Sequence, residues 1–166
     1  TTPSPTPTPT PTATGGVTSD VAILQLALNL EYLEAQFYSF AAFGRSLPEA
    51  SLTGTVGTRG GVTGGRKVAF SDPIIASYAR EIAADELAHV NFLRTALGTA
   101  AVAMPNINIS GDANGPFTAS ARAAKVVDAT SGIFNPYESP TNFLLGAFIF
   151  EDVGVTAYKG AAPLLS

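Results

Sequence analysis

Apolar residues recur at helical spacing in three stretches of the chain, and each stretch is bounded by residues that start or stop helices. The first begins at Ser19 and Asp20, a cap and a first-turn acid. It runs through "VAILQLALNLEYLEAQFYSFAAF" and stops at Gly44. The second opens on "SDP", with Ser71 or Asp72 as cap and Pro73 at the first helical position, and continues to about Leu97 before Gly98. The third opens on Ser139 and Pro140, runs through "TNFLLGAFIFEDVGVTAYKGAA" and breaks at Pro163. The pattern predicts helices over 19–43, 72–97 and 140–162. Residues 44–71, with "GTVGTRGGVTGGRK", are too rich in glycine for helix and read as a long loop. Residues 99–138 read as mostly irregular, with a short helix around "TASARAAKVV". No strand pattern competes in length, so the class is all-α.

The same spacing puts charge where the core should be. Residues three, four and seven apart share a helix face. Glu31 thereby joins Leu24, Ala27, Leu28, Ala35 and Tyr38, while Glu86 and His89 join Ile75, Ala79, Ile82 and Leu93. In the third helix, Leu144, Ala147 or Phe148, Glu151, Val155 and Tyr158 form one stripe. Each long helix carries a core-facing glutamate near its middle, and His89, the single histidine, follows Glu86 by three residues.

An isolated buried carboxylate costs several kcal/mol, roughly, and three converging ones raise each other's pKa. A divalent cation removes both difficulties, because carboxylate oxygens and a neutral imidazole are ligands for iron, manganese or zinc. Glu-x-x-His on a helix aims both side chains at one point. Alone that motif is weak, since a lone histidine is more often a satisfied core residue. Three registered glutamates strengthen it. Glu34 and Asp85 read as boundary or solvated residues, and Asp152 as a helix-edge hydrogen-bonder. Tyr38 and Tyr158 read first as packing residues, each two turns past a glutamate, where the hydroxyl can bond a carboxylate.

Composition narrows the setting. Of the 166 residues, 46% are hydrophobic and only 13% charged, against about 25% charged in an ordinary soluble domain. So little charge implies either surface buried in an assembly or surface solubilised by sugar. A net charge of −4 provides no basic stripe for nucleic acid. The most apolar run, "NFLLGAFIF", falls short of a membrane span and is followed at once by Glu151 and Asp152. With no cysteine, thiol and disulfide chemistry is excluded.

Residues 1–16 form a separate Thr/Pro-rich arm ahead of a domain over 17–166. Alternating proline holds such a segment extended, and the composition is that of an O-glycosylated stalk, with Thr6, Thr8, Thr10 and Thr12 as acceptors. Asn108-Ile109-Ser110 adds an N-glycosylation sequon. Together these predict an extracellular or cell-surface chain. It begins at Thr1 without a visible signal peptide, as expected of a processed chain or a fragment.

The segments "ILQLALNLEYLEAQFY", "REIAADELAHVNFLR" and "FIFEDVGVTAYKGAAP" resemble successive helix signatures of the ferritin-like superfamily, closest to the secreted group that includes plant desiccation-related proteins. The resemblance covers most of 17–166 and preserves the order Glu, Glu-x-x-His, Glu. It implies a four-helix bundle with iron or manganese, one or two ions, at its middle. Glu31 would be a terminal ligand, Glu86 would bridge two metals, His89 would bind one and Glu151 the other. It also implies a fourth helix after "GAAPLLS", where the sequence stops. The groove so left is expected to be filled by a further C-terminal helix, by another chain, or by the segment 116–128.

Two functions of different classes follow. One is a metal-competent ferritin-like protein that oxidises Fe(II) or handles peroxide, with a stress role. The other is a structural extracellular glycoprotein whose open groove drives homo-oligomer or filament assembly around a vestigial site.

Overall fold

The structure, a computed structural model, describes residues 19–165. The Thr/Pro arm, with Thr6, Thr8, Thr10 and Thr12, lies outside the described residues. Three long helices and one short one make up the fold: α1 (Ser19–Phe43), α2 (Pro73–Leu97), α3 (Pro116–Ala123) and α4 (Pro140–Ala161). The predicted caps do their work. Asp72 accepts a hydrogen bond from the Ile74 amide at 2.7 Å, and Ser139 Oγ accepts one from the Asn142 amide at 3.1 Å. Gly44 and Gly98 close α1 and α2 with positive φ, 72° and 53°. The short helix begins two residues before its expected start, because Pro116 takes the first helical position after Gly115.

Helix α1 is the central element. From Glu31 to Ala42 nearly every residue is buried, so both sides of α1 face protein. Helix α2 returns antiparallel along it. The Val68 amide donates to Ala41 O at 2.9 Å beside the end of α1, and Gln25 Nε2 donates to Ala100 O at 2.8 Å near its start. The glycine-rich segment after α1 is no free loop. It runs beside residues 102–109 in a parallel ladder that includes β1 (Val62–Thr63) and β2 (Ile107–Asn108). Gly60 has no alternative there: a Cβ on it would lie 2.2 Å from the Asn106 amide nitrogen.

Helix α4 is turned away from the expected stripe. Its buried side carries Phe143, Gly146, Ala147 and Gly154, whereas Leu144, Phe148, Val155 and Tyr158 are exposed. Small residues let α4 approach α1 closely, and a helix apolar on nearly every side does not announce which face is inward. An aromatic cluster fixes the contact. The Phe37 ring lies 5.8 Å from Phe143, 5.0 Å from Phe150 and 5.3 Å from Phe117 of α3. Helix α3 therefore caps one end of the α1–α4 pair. It does not replace a fourth helix, since Phe148 and Val155 on α4 and Tyr78 and Phe92 on α2 remain exposed.

The rotation of α4 makes a direct prediction for the chain studied as a monomer. Phe143→Ala, at a site 1% exposed, should cost about 3–5 kcal/mol. Phe148→Ala, at 68% exposure, should stay within about 0.5 kcal/mol. Chemical denaturation of both variants checks this, and the reverse order would mean that the helix faces the other way.

Candidate metal centre

The buried glutamates of α1 and α2, Glu31, Glu34 and Glu86, lie on the side of the core that α4 approaches. Glu31 and Glu86 are 3% and 5% exposed, and His89 presents its ring to them from a half-open position. His89 Nδ1 lies 3.3 Å from Glu31 Oε2 and 3.4 Å from Glu86 Oε2. Neither of those oxygens has a hydrogen-bond partner, and both are closed off from solvent. Buried polar atoms are nearly always satisfied, so two orphaned oxygens facing one imidazole nitrogen call for a missing partner. One ligand atom from each of Glu31, Glu86 and His89 falls within 4.8 Å of the others. Donors on a single ion with bonds of about 2.1 Å sit about 3.0–3.5 Å apart. The residues thus fit a divalent cation of the iron, manganese or zinc type by donor chemistry and by spacing.

Glu151 stands outside that triangle, on the exposed edge of α4, where Tyr38 Oη donates to its Oε1 at 2.7 Å. Tyr158 reaches back from α4 and donates to Glu31 Oε1. Each tyrosine follows a glutamate of its own helix by two turns, yet each bonds the glutamate of the other helix. The crossed pair is what antiparallel packing of α1 and α4 allows: the register that sets Tyr38 against Glu151 also sets Tyr158 against Glu31. Both hydroxyls are held protonated, by burial first and then by the carboxylates they serve. They fix carboxylate orientation without adding charge.

Glu34 corrects the sequence reading. It is 7% exposed and not a solvated boundary residue. Its pKa is pushed from 4.5 up to about 8, by burial first, then by the charges of Glu31 and Glu151. Glu86 is raised as well, again by burial first, then by the neighbouring Glu31 carboxyl and by the charges of Glu34 and Glu151. No lysine or arginine is buried among the described residues. Arg94, the nearest in kind, is committed to the Tyr32 hydroxyl at 2.7 Å and to the Thr53 and Ala50 carbonyls. The one available signal for Glu34 was its place one turn after Glu31 in a run of α1 without a basic residue. Asp85 and Asp152 are exposed, and Asn108 is exposed with its Oδ1 bonded by Ser110. A cleft of ≈ 350 Å³ lined by Glu31, His89, Phe92, Leu93 and Tyr158 opens the centre to solvent on the imidazole side.

Comparison with known proteins agrees with this picture. The family model for the ferritin-like domain matches residues 19–166. The chain is 31% identical over 152 residues to the desiccation-related protein PCC13-62 of Craterostigma plantagineum, covering 89% of this chain and 44% of that protein. It is 27% identical over 158 residues to the ferritin-like catalase Nec2 of Nesocodon mauritianus, covering 92% of this chain and 47% of that one. The chain therefore spans less than half the length of either relative. No solved structure matches it significantly. With the helical fold and a family model that spans the described residues, the chain belongs to the ferritin-like domain family.

Proposed function

We propose that this chain forms a carboxylate–imidazole centre for iron or manganese that acts on peroxide or on Fe(II), in protection against stress such as desiccation. The observation that carries the reading is the pair of buried, unpartnered oxygens of Glu31 and Glu86 facing His89 Nδ1. When bound, such a metal would supply one-electron redox chemistry at the centre. The protein's own part is positional. Glu31 and Glu86 provide anionic oxygens, His89 a neutral nitrogen, and Tyr158 and Tyr38 hold Glu31 and Glu151 in place. The cleft beside His89 and Phe92 is a route for a small reactant. The names of the relatives, one a desiccation-related protein and one a ferritin-like catalase, support this choice of chemistry and setting. The Thr/Pro arm supports an extracellular, O-glycosylated form.

Exposed apolar residues on α4 favour a second reading, in which copies of this chain associate through that helix. Its discriminating outcome is an oligomer by light scattering at micromolar concentration that Phe148→Asp converts to monomer. A wild-type monomer throughout that range would dismiss it.

The metal reading predicts that Fe(II) or Mn(II) binds the purified chain and that Glu86→Ala weakens binding by at least about 10–100-fold while helix content is kept. Equilibrium dialysis with metal analysis checks it; a wild-type chain that retains no metal and shows no Fe(II)-dependent oxygen uptake would reject it.

The raised carboxylates also set a pH trend. Below 4.5 folded and unfolded chains both hold the Glu34 proton, and between 4.5 and about 8 only the folded chain does. The stability contributed by that proton is therefore full at the acid end and is lost as pH rises toward 8. A divalent cation competes with the proton, so its binding strengthens over the same interval. Thermal melts should show Mn(II) raising Tm more at pH 8 than at pH 5.5. An equal or opposite shift would remove the carboxylates from the binding event.

A further inference from the structure

A second cleft opens between the last turns of α1, the segment that follows it and the middle of α2, and it shares no residue with the cleft over His89. Its volume is ≈ 510 Å³, and small-molecule pockets run from about 300 to 1,000 Å³. Local sequence makes the space. Gly44 ends α1 with positive φ, and the turn brings Leu47 and Pro48 into the wall of the cleft. Helix α2 meets them with Ala83, Ala84 and Leu87, two of the three very small. Phe43 completes the apolar lining.

Three polar residues interrupt that lining, and none is acidic. Ser39 donates its hydroxyl to the Arg45 carbonyl at 2.8 Å, which holds the turn in place. The Arg45 guanidinium lies over the Phe43 ring, 5.7 Å from its centroid, and has no carboxylate partner among the described residues. Ser46 is oriented from behind. Gln36, fully buried, donates from Nε2 to Ser46 Oγ at 3.0 Å and to Met104 Sδ at 3.2 Å. Its Oε1 accepts from the Leu47 amide at 3.4 Å. With Gln36 as donor to its oxygen, Ser46 keeps its own proton to give, and that proton has no acceptor among the described residues.

One guanidinium and one hydroxyl, both still able to donate, therefore stand at an apolar cleft. A planar carboxylate satisfies them together. The guanidinium fork pairs with both carboxylate oxygens, the hydroxyl donates to one of them, and a hydrocarbon body covers the apolar lining. A single guanidinium balances a single negative charge, which suits a monocarboxylate better than a phosphate dianion.

We infer that this cleft binds a small amphipathic monocarboxylate, with Arg45 and Ser46 on the carboxylate and the α1 and α2 walls around the hydrocarbon. The site is independent of the metal reading, and either can fail without the other.

The test uses octanoate as probe on the intact chain labelled with nitrogen-15, with octan-1-ol as its uncharged match. Saturable amide shifts are expected at residues 43–48 and 83–87, which bound the cleft. Octan-1-ol should bind at least about tenfold more weakly than octanoate. Arg45→Gln should weaken octanoate by at least about tenfold and leave the alcohol unchanged. Ser46→Ala should weaken octanoate by less than Arg45→Gln does. Ala84→Phe fills the cleft from an exposed position and should abolish binding of both probes. If that variant fails to fold, Arg45→Gln, at an exposed residue, decides the matter. Equal affinity for octanoate and octan-1-ol, or unchanged octanoate affinity in Arg45→Gln, would overturn the inference. So would shifts confined to the exposed apolar residues of α4, or none at millimolar octanoate.

Discussion

Everything distinctive about this fold follows from placing several carboxylates in a core where no lysine or arginine is buried among the described residues. Glu31, Glu34 and Glu86 are each less than one-tenth exposed, and Glu151 joins them from the edge of α4. In the absence of a counter-ion the centre copes by retaining protons, which is why Glu34 and Glu86 are raised, and by taking hydroxyl donors from Tyr38 and Tyr158. That solution fails as pH rises past about 8, where Glu34 gives up its proton and its charge returns to the core. A divalent cation held as proposed would replace those protons as the answer to the carboxylate charge.

The packing around the centre is arranged to hold these groups steady. Helix α1 is enclosed on nearly all sides, and an enclosed helix cannot turn its glutamates outward without dragging Phe37 and Tyr38 from the aromatic cluster. Tyr38 to Glu151 and Tyr158 to Glu31 tie α1 to α4 at two levels, so sliding one helix against the other breaks both bonds. Helix α2 contributes Glu86 and His89 from the other side, and Arg94 pins its last turns to Tyr32 and to the Ala50 and Thr53 carbonyls of the segment between α1 and α2. Rigidity here is positional accuracy for oxygens that have no partner of their own.

Helix boundaries were legible in the sequence because they rest on local chemistry: Asp72 with Pro73, Ser139 with Pro140, and glycines at 44 and 98. The grouping of Glu31, Glu86 and His89 was legible too, since α1 and α2 are long, antiparallel and each has its polar residues in one register. Three things were hidden. The orientation of α4 was masked by its composition, as apolar side chains surround it and only Gly146, Ala147 and Gly154 mark the close face by being small. The burial of Glu34 was hidden because a one-stripe reading assumes that a helix has an outside, and in the middle of α1 there is scarcely one. The parallel ladder between the loops at 56–63 and 102–109 gave no periodicity at all; it is built from backbone amides, which any sequence has, at places where glycine permits contact.

The open side of the molecule links the centre to its surroundings. Phe92 and Tyr158 belong both to the cleft over Glu31 and His89 and to the apolar surface that α2 and α4 leave exposed. Solvent reaches the imidazole through that cleft, and His89 is 56% exposed as a result. Any polypeptide that covered this surface would bury Phe92 and, in the same step, narrow the approach to the centre. Water would leave the imidazole side, and the electrostatic attraction between the carboxylates and a bound cation would strengthen with the fall in local polarity. Covering the apolar face and tightening the centre are in this fold one event, because Tyr158 forms the cleft wall with one side of its ring and bonds Glu31 with its hydroxyl.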